Sequence, residues 1–93
     1  MRIRLERQVI EFVRRLPPVP RRRLRNALRS LEKERGDIRP LEGRLVGYYR
    51  LRVGPHRIIF VYAEGGKQIR CLYAAHRGLA YETFRARLGD FLK

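Results

Sequence analysis

The fold turns on residues 45–75, LVGYYRLRVGPHRIIFVYAEGGKQIRCLYAA, where apolar and polar residues alternate and two turn signals interrupt, Gly54-Pro55 and Gly65-Gly66. A period of two marks half-buried strands, and such pairs of turn residues between them mark hairpins. The pattern predicts strands over 45–53, 56–63 and 67–75. If each turn is a two-residue loop, Val53 faces His56, Arg52 faces Arg57 and Arg50 faces Ile59. Across the second turn, Glu64 then faces Lys67, Ile59 faces Leu72 and Arg57 faces Ala74.

Successive side chains of a strand point to opposite sides. One face therefore collects Tyr49, Leu51, Val53, Ile58, Phe60, Tyr62, Ile69, Cys71 and Tyr73, a continuous apolar surface. The other collects Arg50, Arg52, Arg57, Ile59, Val61, Arg70, Leu72 and, at its end, His76. A slip of one residue would exchange the faces, so the assignment depends on the two turns.

Outward from the sheet the period changes to that of a helix. Residues 4–16 carry Val9, Phe12, Val13 and Leu16 at helical spacing, although residues 1–4 read equally well as a short edge strand. Pro17, Pro18 and Pro20 predict a turn. A second helix follows over 21–35, with Leu24, Ala27, Leu28 and Leu31 on one stripe and Gly36 placed to end it. A last helix is expected over 79–88, before Gly89. The expected fold is α+β: an N-terminal helical hairpin packed on a 3–4-stranded antiparallel sheet, with a C-terminal helix, as one domain over residues 1–93.

Composition narrows the function. The chain has 93 residues and is 44% hydrophobic, which excludes a disordered basic tail. Charges interrupt every apolar stretch, so no membrane association is expected, and the first residues lack a secretory signal. The single cysteine, Cys71, allows no intramolecular disulfide and no metal-ligand cluster. The expectation is a cytoplasmic protein with no metal and no small-molecule cofactor. Lys and Arg number 23 against nine acids, for a formal charge of +14. Only Lys33, Lys67 and Lys93 are lysines, which leaves 20 arginines. The planar guanidinium binds phosphate oxygens in pairs and stacks on bases, so the partner expected is nucleic acid. Genomic base composition would explain arginine over lysine, but not the shortage of acids.

The sheet sharpens this. Arg52 and Arg57 lie directly opposite each other, with Cβ atoms roughly 5 Å apart, a destabilising arrangement for like charges. No carboxylate on these three strands faces them, and a scissile phosphate would relieve the repulsion. The alternative is a solvated basic face. His76 is the natural acid/base candidate, or else a structural histidine at a strand end. Arg14, Arg15, Arg21, Arg22, Arg23, Arg25 and Arg29 form a second basic region on the helices, suited either to gripping RNA phosphates or to solubility.

Several short motifs, taken in order, resemble the RelE/ParE toxin superfamily. They are Pro40-Leu41-Glu42-Gly43, Tyr49-Arg50-Leu51-Arg52-Val53, His56-Arg57-Ile58-Ile59-Phe60, and Ala75-His76-Arg77 with Tyr81. The resemblance spans nearly the whole chain and implies the toxin of a type II toxin–antitoxin pair. It implies an endoribonuclease that cuts mRNA in the ribosomal decoding site without a metal, by attack of the RNA 2′-hydroxyl on the adjacent phosphate. The implied partners are a cognate antitoxin protein, mRNA and ribosomal RNA.

Residue by residue, Arg50 and Arg52 occupy the basic positions of the family's first site strand, and Arg57 matches the arginine on the scissile phosphate. His76 and Arg77 match the His-Arg ending, and Tyr81 its later tyrosine, which reads equally as a core residue. Phe84 matches an aromatic position that stacks on a base, and Arg70 adds charge for RNA. The family's catalytic glutamate, found in one branch ahead of the Pro-Leu pair, is replaced here by Arg39. Two alternatives stand beside this reading: a ParE-like inhibitor of DNA gyrase, and a non-catalytic basic module that binds RNA.

Overall fold

The computed structural model describes residues 1–87. The expected strands and helices are present in outline, and the differences come from four local features.

The first is at the N-terminus. Arg2–Leu5 is a strand, β1, and the first helix, α1, covers Arg7–Arg15. Ile3 and Leu5 alternate with Arg2 and Arg4, and this pattern wins over the helical one that begins at Val9. β1 pairs in parallel with the last strand, Leu5 opposite Cys71, and the Glu6 amide extends the ladder to the Cys71 carbonyl.

The second is the proline run. Pro18 and Pro20 open the second helix, α2 (Pro18–Leu31), instead of forming a separate turn. Proline is tolerated in a first helical turn because the amides there have no intrahelical acceptor. Leu24, Leu28 and Leu31 are buried. Gly36, beyond the helix end, has φ 130°, and a Cβ there would come within 2.8 Å of the Leu51 side chain. Both conformation and space require glycine at that point.

Third, Asp37–Pro40 forms a strand, β2, which the sequence pattern did not reveal. It pairs antiparallel with β3 (Tyr49–Val53), which starts four residues later than expected because Gly43–Leu45 makes a 3₁₀ turn. β4 (His56–Ala63) and β5 (Gln68–His76) complete a five-stranded mixed sheet in the order β1-β5-β4-β3-β2.

The fourth decides where the site residues lie. The β3–β4 register is the expected one throughout: Val53 with His56, Arg52 with Arg57, Arg50 with Ile59. In the β4–β5 hairpin the expected register runs from Ala63–Gln68 to Phe60–Cys71 and then breaks. A bulge places Ile59 opposite Tyr73, not Leu72, and Arg57 opposite Ala75, not Ala74. The extra residue puts Leu72 and Tyr73 on the same side of the sheet, so every residue beyond changes face.

Each face of the sheet carries a core. Toward α1 and α2 lie Val9, Val13, Leu24, Leu28, Leu31, Leu51, Ile58, Phe60, Ile69, Cys71 and Ala74. On the other side Leu45, Ile59, Leu72, Tyr73 and Phe84 pack beneath α3, Ala80–Ala86. The α+β class and the helical hairpin stand. The expected end of the last helix at Leu88, before Gly89, lies outside the described residues. No helix among the described residues is long and apolar enough to cross a membrane.

Candidate active site

The arginine face is organised in rungs. One rung runs Asp37–Arg52–Arg57–Ala75 across β2, β3, β4 and β5, and the next runs Arg39–Arg50–Ile59–Tyr73. Residues in register across a sheet share a face, so Arg39, Arg50, Arg52 and Arg57 stand together.

No carboxylate of the three expected strands faces them, but the unforeseen strand brings Asp37 to two of them, Arg50 and Arg52. Its two oxygens separate the work: Arg50 Nη1 lies 3.1 Å from Oδ1 and Arg52 Nε lies 2.8 Å from Oδ2. Arg50 Nη1 also donates to the Asp37 carbonyl at 2.9 Å, and its side chain is only 13% exposed. Partial burial pushes the Asp37 carboxyl up, but the Arg50 hydrogen bond and the charges of Arg50, Arg52 and Arg39 outweigh it and hold it below its ordinary value. Asp37 is thus a fixed anion that orients two guanidinium groups. It is a poor proton acceptor.

Arg57 differs. Its Nη1 donates to the Gly54 carbonyl at 2.8 Å and the His56 carbonyl at 3.0 Å, and it has no carboxylate partner among the described residues. Arg39, on the exposed edge strand, acts on Asp37 by its charge, with no ion pair within 4.0 Å among the described residues. Four arginines and one aspartate leave a surplus of three positive charges on this patch. The Arg77 amide donates to the Pro55 carbonyl at 2.8 Å, which places Arg77 beside the turn that anchors Arg57.

His76 is not on this face. The bulge turns it toward the helical hairpin, where its ring meets that of His56 with centroids 6.3 Å apart. His56 in turn lies edge-on to Phe12 of α1 at 5.5 Å. Burial, followed by the charges of His76 and Arg57, lowers the His56 pKa. The Phe84 expectation also needs correction. That ring is fully buried, 5.2 Å edge-on from Tyr48 and 6.2 Å from Tyr73, so it has no face free for a base. Tyr81 is half-buried in the same core and lines a pocket of about 400 Å³ with Glu42, Arg44, Glu82 and Arg85. None of Arg50, Arg52 and Arg57 lines that pocket.

The comparisons with known proteins fit this architecture. No protein-family model and no curated protein matches the chain. Solved structures do. A RelE–RelB complex from the archaeon Pyrococcus horikoshii is 30% identical, over 85% of this chain and 97% of that one, with TM-score 0.65. The chain belongs to the RelE/ParE toxin superfamily. The RelB–RelE antitoxin–toxin complex from Methanococcus jannaschii, 22% identical over 86% of this chain and 96% of that one, shares the fold with TM-score 0.67. So does the YoeB–YefM complex from Staphylococcus aureus, 18% identical over 82% and 95%, with TM-score 0.64.

Within this RelE/ParE fold the remaining basic residues fall into separate groups. Arg70 is bound to Glu6 and faces Val61, four residues along β4 from Arg57, roughly 14 Å away. Arg14 and Arg15 end α1, and Arg21, Arg22, Arg23, Arg25 and Arg29 follow on α2. All but Arg21 are exposed, and they lie on the opposite side of the sheet from Arg57. Sequence reasoning missed Asp37, the place of Arg39 on this face, and Gln8. The Gln8 side chain accepts from the Ala74 amide and donates to the Ala74 carbonyl, both at 2.7 Å, where β1 has ended and no strand remains to pair. Alternation in Asp37-Ile38-Arg39 was the available signal for the first two. The Gln8 contact spans 66 residues and left none.

Proposed function

We propose that this chain is the toxin of a type II toxin–antitoxin pair, acting in the cytoplasm as a ribosome-dependent, metal-independent mRNA endoribonuclease. The observation that carries this reading is the Arg52–Arg57 rung. It forms an open basic patch on one face of a fold whose 30%-identical relative is RelE, and its charge exceeds what Asp37 neutralises.

In this reading the RNA backbone lies over the β3–β4 rungs. Arg57, unpaired with any described carboxylate, binds the scissile phosphate and stabilises the extra negative charge that develops as the 2′-hydroxyl attacks. Arg50 and Arg52, aimed by Asp37, and Arg77 beside the Gly54-Pro55 turn hold the flanking phosphates. Solvent takes the 2′-hydroxyl proton and returns one to the 5′-oxygen as its bond to phosphorus breaks, leaving a 2′,3′-cyclic phosphate and a 5′-hydroxyl. Arginine stays protonated and so supplies charge and geometry, not proton transfer. Tyr81, on α3, lines the separate pocket with Glu42 and Arg85 and has no role in the step, and the α1–α2 arginines grip ribosomal RNA. A small antitoxin with an acidic or amphipathic segment silences the basic face.

One observation favours a second reading. Both histidines of the chain lie on the far side of the sheet from the arginines, as a non-catalytic RNA-binding module or a ParE-like gyrase inhibitor would allow. Incubating reporter mRNA and ribosomes with the purified protein separates the three. Cuts carrying cyclic-phosphate and 5′-hydroxyl ends are expected. Intact mRNA with the protein still ribosome-bound would leave the binding module, and intact mRNA with blocked DNA supercoiling would leave the gyrase inhibitor.

A further inference from the structure

The end of the β4–β5 hairpin holds a feature that RNA cleavage does not use. His56 and His76 are Cα partners across antiparallel strands. The Arg77 amide bonds to the Pro55 carbonyl, just outside this pair. That pattern makes His56–His76 a non-hydrogen-bonded pair, the kind in which Cα atoms are about 4.5 Å apart and side chains are closest. Both rings leave the sheet on the same side and meet at 88° with centroids 6.3 Å apart. The backbone pairing holds the two side chains close together on one side of the sheet, so both imidazoles can reach one ion without movement of the backbone.

We propose that His56 and His76 form a two-imidazole site for a divalent transition-metal ion of borderline softness, with Cu(II) bound most tightly. With metal–nitrogen bonds of about 2.0–2.1 Å, two ring centroids flanking one ion lie at most roughly 6.4 Å apart. The observed 6.3 Å is within that reach, and rotation of the exposed His76 ring shortens it for bent geometries. Among the described residues no group of three or more ligands gathers anywhere, so the ion retains open positions for water or an anion. Arg57 and Arg77 flank the pair, and their charge opposes any dication. Among divalent first-row ions, that opposition is best overcome by the one at the top of the nitrogen-affinity order, which is Cu(II). Cys71 does not compete, because it is buried and its thiol is pushed up to about 12. Composition hid the site, since two histidines 20 residues apart make no motif until the bulge brings them to one face.

The test is a Cu(II) titration of the purified protein against a glycine competitor, followed by electron paramagnetic resonance. His56→Gln, His76→Gln and the double variant are measured alongside, with circular dichroism to check folding. One ion per chain with nitrogen hyperfine structure is expected, together with at least tenfold weaker binding in each single variant and a thermal midpoint that Cu(II) raises only in the wild type. Tight binding retained in the double variant would overturn the site. So would a loss caused by only one of the two histidines, or wild-type protein that fails to outcompete glycine. None of these outcomes depends on RNA cleavage.

Discussion

The two hairpins of the sheet share β4 and differ by one residue. In β3–β4 the pairing is regular from Val53–His56 to Tyr49–Phe60, and it delivers Arg50, Arg52 and Arg57 to one face. In β4–β5 the bulge between Cys71 and Tyr73 reverses the faces beyond it, moving Tyr73 under α3 and His76 toward α1. A regular ladder concentrates like charges, and an irregular one separates the histidines from them. The predicted chemistry therefore rests on charge stabilisation, with the imidazoles occupied elsewhere.

The largest effect tests the side of the sheet that holds Tyr73. Because Phe84 is a core residue there, Phe84→Ala should cost about 3–5 kcal/mol of unfolding free energy. Urea denaturation measures this. A loss of RNA affinity at unchanged stability would return the ring to the RNA surface. Next in size is Arg57→Ala, which removes the transition-state charge interaction on the regular hairpin. It should slow single-turnover cleavage about a hundredfold, close to 3 kcal/mol in the barrier, while ribosome binding changes far less. Equal losses in both would make Arg57 a docking residue.

The regular hairpin was legible because Gly54-Pro55 sits between cleanly alternating strands, so pairing and face followed from the turn. The bulge was not, because Cys71-Leu72-Tyr73 is apolar throughout and both faces of the sheet are apolar at that level. Alternation carries no information where either orientation buries a large side chain. β2 escaped notice for a different reason: four residues ending in proline carry too little strand signal, and with β2 went Asp37 and Arg39. The choice between strand and helix at residues 1–4 was settled by a partner, β5, that lies more than 60 residues away.

A smaller effect concerns the helical arginines on the side opposite the site. Replacing Arg21, Arg22 and Arg23 together by Ala should weaken ribosome binding and reduce the slope of log affinity against log salt by about 0.7–0.9 for each phosphate no longer neutralised. Cleavage at saturation should be kept. A drop in the saturated rate would join the two basic regions into one site.

The smallest is a pH effect on stability. The folded-state pKa of Asp37 is depressed below 3.8. Its contribution is therefore present above the unfolded value and disappears as the pH falls through the folded one. Wild type should exceed Asp37→Asn in stability at neutral pH, and the gap should close in acid below 3.8. A gap independent of pH would mean that the Asp37 charge does not orient Arg50 and Arg52.

The separation of the histidines from the arginine face is tested most directly by the pH dependence of single-turnover mRNA cleavage, measured for wild type and His76→Ala on saturated ribosome complexes. With arginines supplying charge and no imidazole at the phosphate, the rate should rise with pH from about 5.5 to 8 without levelling near the ordinary histidine pKa of about 6.5. His76→Ala should follow the same curve within about twofold, a change of roughly 0.4 kcal/mol. A wild-type profile that bends near the ordinary histidine pKa of about 6.5, and loses that bend in His76→Ala, would place the imidazole at the reaction and contradict the account.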